Sequence, residues 1–262
     1  MEREFVRKVR EFKLANEQQF DSLHIYDFDN TLFNSPHPHP GMWGPKLSGL
    51  LIEVGLWFRD ARTLSKDFIP DVPPVDWFNE PVIKSLEASL ASSSTLTVLV
   101  TGRLHSRFYD RIHSITSSLP HKFHMVFCRE GEAESPEFDT FYRTTLEFKI
   151  ALFSHILHAF PGVSTISLWD DRIKHIKSFG NYFDTLVHHS RISSYSLTHV
   201  VEPPEVRKHI VRHLEIDLVR DMVNTYNTTF VNYDPQSQEK IKGHRVFKPI
   251  DFEEVLKTVP DL

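Results

Sequence analysis

Three apolar runs in this chain stop abruptly on polar groups that no hydrophobic core accepts unpaired. Ile25-Tyr26-Asp27-Phe28-Asp29-Asn30-Thr31 ends in two aspartates one residue apart. Val98-Leu99-Val100-Thr101-Gly102-Arg103 ends in a hydroxyl, a glycine and a cation. Ile166-Ser167-Leu168-Trp169-Asp170-Asp171-Arg172 ends in adjacent acids. Runs this short, closed by turn residues, read as buried strands. Helical signals lie between them: Asn79-Glu80-Pro81 is a helix start running to about Leu90, residues 104–118 suggest a helix, and 146–160 repeat apolar residues at helical spacing. The alternation predicts an α/β fold, a parallel sheet with helices on both faces. Ligands of such sheets bind beyond the carboxyl ends of the strands, where the three polar endings would meet.

Each ending has a chemical reading and an ordinary one. Along a strand Asp27 and Asp29 point the same way, and two carboxylates that close need a cation between them or a shared proton. The pair suggests a divalent metal, an acid/base couple, or both; otherwise it is a strand-to-turn exit. Thr101 can donate to a phosphate oxygen, and Gly102 lets the backbone approach it, or the segment is a plain strand-to-helix turn. Thr144 and Glu147 have capping-box spacing, which puts Lys149 near a helix start, facing an anion or simply solvent. Asp170 and Asp171 either recruit a hard cation or cap a helix.

The order acid pair, Thr-Gly, Lys, acid pair resembles the haloacid dehalogenase (HAD) superfamily of phosphotransferases, from Ile25 to Arg172. The resemblance implies a Rossmann-like fold. It makes Asp27 the nucleophile and Asp29 the general acid/base. Thr101, Gly102 and Lys149 become phosphate-binding, and Asp27, Asp29, Asp170 and Asp171 metal-binding, with Mg2+ as cofactor. Asn30 stands where most members carry glycine, and Asn tolerates the left-handed turn better than other residues. Leu32-Phe33-Asn34-Ser35-Pro36, Met42-Trp43, Gly55-Leu56-Trp57-Phe58 and Trp77-Phe78-Asn79-Glu80 resemble the fungal Swiss Army Knife RNA repair-like branch. Asp170-Asp171-Arg172 is similar to the ending in polynucleotide phosphatase modules. Together these imply a phosphomonoester hydrolase whose partner is a phosphorylated substrate, an RNA or DNA end ahead of a metabolite or phosphoprotein; a silent binding module is the other class.

The rest of the chain sets bounds. Net charge is −5, so any nucleic-acid contact must come from a local patch. Trp43, Trp57 and Trp77, with the Arg and Lys of 103–111 and 207–220, are its candidates, although lid core and mixed-charge surface are the ordinary readings. The single Cys128 cannot form an internal disulfide. The sixteen histidines lack Cys partners at zinc spacing. No apolar run is long enough for a membrane helix, and the mixed-charge N-terminus is neither signal nor transit peptide, which predicts a cytoplasmic or nuclear protein. Residues 1–22 are expected as an N-terminal helix (4–20) and 23–200 as the core, with an aromatic and Pro-rich lid at 34–78. Residues 201–262 are expected as a helical extension packed on the core, with a stripe of Val206, Ile210, Leu214, Leu218 and Met222. Further strands are expected at 124–127 and 185–189, a possible one at 245–247, and a short helix at 252–256.

Overall fold

A computed structural model of the chain describes residues 3–53, 55–120, 122–131, 144–201 and 203–231. Those residues form two compact units, Pro36–Phe68 grouping with the segment from Lys208 onward and the rest forming the other.

The larger unit is a five-stranded parallel sheet: β1 (Ser22–Asp27), β2 (Thr95–Leu104), β3 (Met125–Arg129), β4 (Thr165–Asp170) and β5 (Ser194–His199). Their spatial order is β3-β2-β1-β4-β5. The chain winds outward from β1 in one direction and then returns to wind in the other. The crevice at this reversal, at the carboxyl ends of β1 and β4, is where doubly wound sheets bind ligands. One face is covered by α1 (Glu4–Ala15), α5 (Thr145–Ala159) and α6 (Ile173–His188): Phe5, Val9, Phe148, Phe153, Phe179 and Phe183 pack with Ile25, Val98 and Ile166. On the other face Ser89 of α3 (Glu80–Ala91) meets the hydroxyl of Tyr26 at 2.7 Å and Nδ1 of His24 at 2.6 Å. Helix α4 (His105–Thr116) follows β2 directly.

The predicted caps form. The Asn79 side chain accepts from Val82 N, and Thr144 Oγ1 accepts from Glu147 N at 3.1 Å. Two expectations need correction. Helix α1 stops at Ala15, earlier than residue 20. The strand expected at 185–189 is the last turn of α6, and the edge strand is 194–199 instead. Ile176, Phe179, Phe183 and Leu186 all pack on the core at helical spacing, so Leu186-Val187 extends that stripe. In β5, only Tyr195 and Leu197 are half-buried; an edge strand with one half-covered side leaves little apolar signal. The strand expected at 245–247 and the helix expected at 252–256 lie outside the described residues.

The smaller unit holds α2 (Pro40–Glu53), kinked at Gly44 with φ 66°, short 3-10 turns, and α7 (Arg212–Val231). Val206 and Ile210 precede α7, so the stripe is shared between a loop and a helix. Trp57 is fully buried and donates to Pro36 O at 2.7 Å, while Trp43 donates to Glu215 Oε1 at 2.7 Å. Both indoles are therefore core, without a face for a base.

Candidate active site

Strand β1 ends on Asp27 because the chain turns there. Leu32 N and Phe33 N return to the carbonyls of Asp27 and Phe28, and Asn30 takes up φ 57°, as its residue type allows. Phe33 stacks on Phe28 at 5.2 Å and on Trp77 at 5.6 Å, so aromatic packing holds the turn. The neighbouring strand ends bring the other predicted residues to it.

Lys149, on the second turn of α5, is 2% exposed. Its Nζ lies 2.8 Å from Asp27 Oδ1 and 2.7 Å from Asp170 Oδ2. Asp170 also accepts from Arg172 N at 2.9 Å, and His175 Nδ1 stands 3.6 Å from it. Asp171 completes the group: Asp27, Asp170 and Asp171 each bring an oxygen within 4.8 Å of the others. Three carboxyl groups thus crowd one buried ammonium, an acid-rich cluster. Burial pushes the carboxyl groups of Asp27 and Asp171 upward, and their acidic neighbours add to it. Asp170 is buried too, but Lys149 and His175 hold it below the usual carboxylate range. Burial alone would discharge Lys149; Asp170 and Asp27 override it and keep the ammonium.

Asp29 is held elsewhere. The strand ends at Asp27, so the alternation that would aim both aspartates together does not extend past it. Asp29 takes Arg103 Nε at 2.8 Å, a second guanidinium nitrogen at 2.7 Å, and the Ser35 hydroxyl at 2.7 Å. Thr101 Oγ1 donates to its other oxygen at 3.3 Å and accepts from Arg103 N. Burial would raise the Asp29 carboxyl, and the Arg103 guanidinium overrides it, so Asp29 is ionised. The aspartates thus avoid mutual repulsion by taking a cation each, and the three-carboxylate cluster does not include Asp29. Arg103 reaches inward because the β2–β3 register shifts between Thr101 and Leu104; such bulges re-aim side chains. Gly102 has a packing reason of its own: a Cβ there would meet Thr145 Cγ2 at 2.6 Å.

Sequence reasoning did not assign Arg103, Ser35 or His175 to the site. An arginine closing an apolar strand was a usable signal for the first. His175 was reachable by counting: five residues past Asp170, it falls on the first turn of the helix those acids open. Ser35 carried no signal.

The donor set suits a hard divalent cation. It is all carboxylate, its charge is complementary, and Asp171 Oδ1 is buried without a hydrogen-bond donor. Among the described residues no other group of three acidic, His or Cys ligands converges.

The model of HAD domain family 1 in Swiss Army Knife RNA repair proteins matches residues 35–228. The chain belongs to that family. The match spans Thr101, Lys149, Asp170 and Asp171 and begins just beyond Asp27 and Asp29, whose case rests on the geometry above. An uncharacterised protein of Saccharomyces cerevisiae is 28% identical over 227 residues, covering 81% of this chain and 46% of the relative. The chain thus spans about half the length of that relative. No solved structure matches it. No helix among the described residues is long and apolar enough to cross a membrane.

Proposed function

We propose that this HAD domain is a Mg2+-dependent phosphomonoester hydrolase working through an aspartyl-phosphate on Asp27, with an RNA end as substrate. The observation that carries the reading is the Asp27–Asp170–Asp171 cluster, three carboxyl groups converging around the buried Lys149. Asp27, Asp170 and Asp171 would hold Mg2+, which when bound neutralises charge on the phosphoryl oxygens. An Asp27 oxygen attacks phosphorus and the bond to the leaving oxygen breaks. Asp29, ionised beside Arg103 in the free site, must take up a proton as the substrate's charge arrives, and it delivers that proton to the leaving oxygen. It then takes one from the water that attacks phosphorus and breaks the bond to Asp27. Its ionised state beside Arg103 is the form this second step requires. Lys149 lies within reach of a phosphoryl oxygen at Asp27, where its charge stabilises the transition state. Thr101 can turn its hydroxyl from Asp29 to the phosphate. The family's association with RNA repair supports an end phosphate ahead of a metabolite.

The test is phosphate release from 3′-, 2′- and 5′-phosphorylated oligonucleotides, mononucleotides and sugar phosphates, with Mg2+ and with EDTA. Release should need the metal and favour one class of oligonucleotide end. Asp27→Asn should lower kcat by about a thousandfold or more. Wild-type rates in that variant would remove Asp27 as nucleophile; equal use of sugar phosphates would replace the RNA substrate.

A further inference from the structure

Two polar atoms at the carboxylate cluster are buried without a hydrogen bond among the described residues: Asp171 Oδ1 and His175 Nδ1. His175 stands on the first turn of α6, with its ring 12% exposed. A ring nitrogen taken out of water without a partner is a cost that packed interiors rarely keep. What this nitrogen faces is Asp170 Oδ2, at 3.6 Å. That is about 0.7 Å beyond the usual N–H···O length.

Packing fixes where the ring sits. It meets Phe179, one turn on, edge-on at 5.8 Å, and Phe179 is fully buried against Phe153 at 5.4 Å. The nitrogen is thus aimed by the hydrophobic core and not by a bond of its own. Asp170 is held from other sides, by Lys149 at Oδ2 and by Arg172 N at Oδ1. Lys149 is shared with Asp27, and it is the ammonium that a phosphoryl oxygen at Asp27 would claim. Asp170 then needs a donor that does not turn to the substrate. His175 Nδ1–H already faces it.

We propose that His175 is a positioning residue, its Nδ1–H closing on Asp170 Oδ2 to hold that carboxylate for a divalent cation shared with Asp27 and Asp171. Metal-binding carboxylates are commonly fixed by such outer donors, and a ligand already fixed loses less freedom when the cation arrives. This rests on the metal reading of the cluster and not on turnover.

The test separates the N–H from the ring. His175→Asn can place an N–H where Nδ1 stands but gives up the contact with Phe179. His175→Leu fills the space against Phe179 but has no N–H. Ile176→Ala, which removes core packing from the same helix turn, controls for simple destabilisation. Each variant and the wild type are titrated with Mg2+, read by Tm, and unfolded in urea with EDTA. H175L should weaken the apparent Mg2+ Kd by about tenfold or more. H175N should stay close to the wild-type Kd while showing the lower urea midpoint of the two. I176A should lower the urea midpoint and leave the Kd unchanged. The role is overturned if H175L binds Mg2+ as the wild type does, if H175N is as weak as H175L, if I176A weakens Mg2+ equally, or if the wild-type Tm ignores Mg2+. Phosphate release by H175L should recover as Mg2+ is raised. The same ordering of Mg2+ affinities without phosphate release from any wild-type assay would sink the phosphatase and keep His175 in its role. Mg2+-dependent release that H175L matches at every Mg2+ concentration would do the reverse.

Discussion

At the scale of single residues, the site is two separate charge problems solved side by side. Asp27 shares Lys149 with Asp170, and Asp29 owns Arg103. Arg103 has a side chain 1% exposed, its guanidinium packed 4.7 Å from the centre of the Phe108 ring. Replacing it with Met leaves a buried carboxylate without its cation, so Arg103→Met should destabilise the domain by about 3–5 kcal/mol. Asp29→Asn on top should recover part of that loss, because the amide carries no charge to strand. Urea unfolding of the wild type, both single variants and the double variant measures the coupling. Additive losses would show that the pair does not act as a unit.

At the scale of elements, close packing sets where the chemistry sits. Gly102 on β2 is backed by Thr145, the first residue of α5, and Lys149 lies one turn further along. In Gly102→Ala the new Cβ must push that turn away, costing about 1–3 kcal/mol and displacing the lysine. Phosphate release should fall by more than stability explains, and Thr145→Ala in the same chain should restore much of it. If rescue fails, the glycine serves something other than this contact. Helix α7 carries a different constraint. Glu215 is fully buried, accepting from His39 N and Trp43 Nε1, and burial pushes its carboxyl from 4.5 up to about 7. The unfolded chain gives up that proton at lower pH than the folded one. Stability should therefore decline between about pH 4.5 and 7, by roughly 3 kcal/mol, and stay reduced above. Glu215→Gln keeps the acceptor oxygen without the charge. It should match or trail the wild type at pH 5 and exceed it at pH 8, as read by urea midpoints at the two pH values.

At the scale of the whole molecule, an acidic cluster that converges only on folding would make folding and the proposed metal binding one equilibrium. A cation that binds only the folded cluster stabilises it by about 2.7 kcal/mol at a hundredfold excess over Kd. Mg2+ should raise Tm by a few degrees, EDTA should reverse the gain, and Asp171→Asn should blunt it. A Tm indifferent to Mg2+ across the millimolar range would deny the cluster its metal. The net charge of −5 means that any polyanion has to be drawn by a local surface.

The sequence by itself determined the strands that carry Asp27, Thr101 and Asp170 at or near their carboxyl ends, and the helix start that delivers Lys149, because both signals are local. A run of apolar residues halted by a charge, or a Thr–Glu cap, needs no knowledge of distant contacts. It also determined the left-handed turn at Asn30, a property of one residue's backbone. The partners of each charge were decided by the tertiary structure. Arg103 turns inward on a register shift that only strand pairing creates, and Ser35 and His175 arrive from elements whose placement depends on the assembled sheet. That Asp29 stands outside the three-carboxylate cluster follows from those partners, since a buried carboxylate goes to the nearest fixed cation, and nearness exists only after folding.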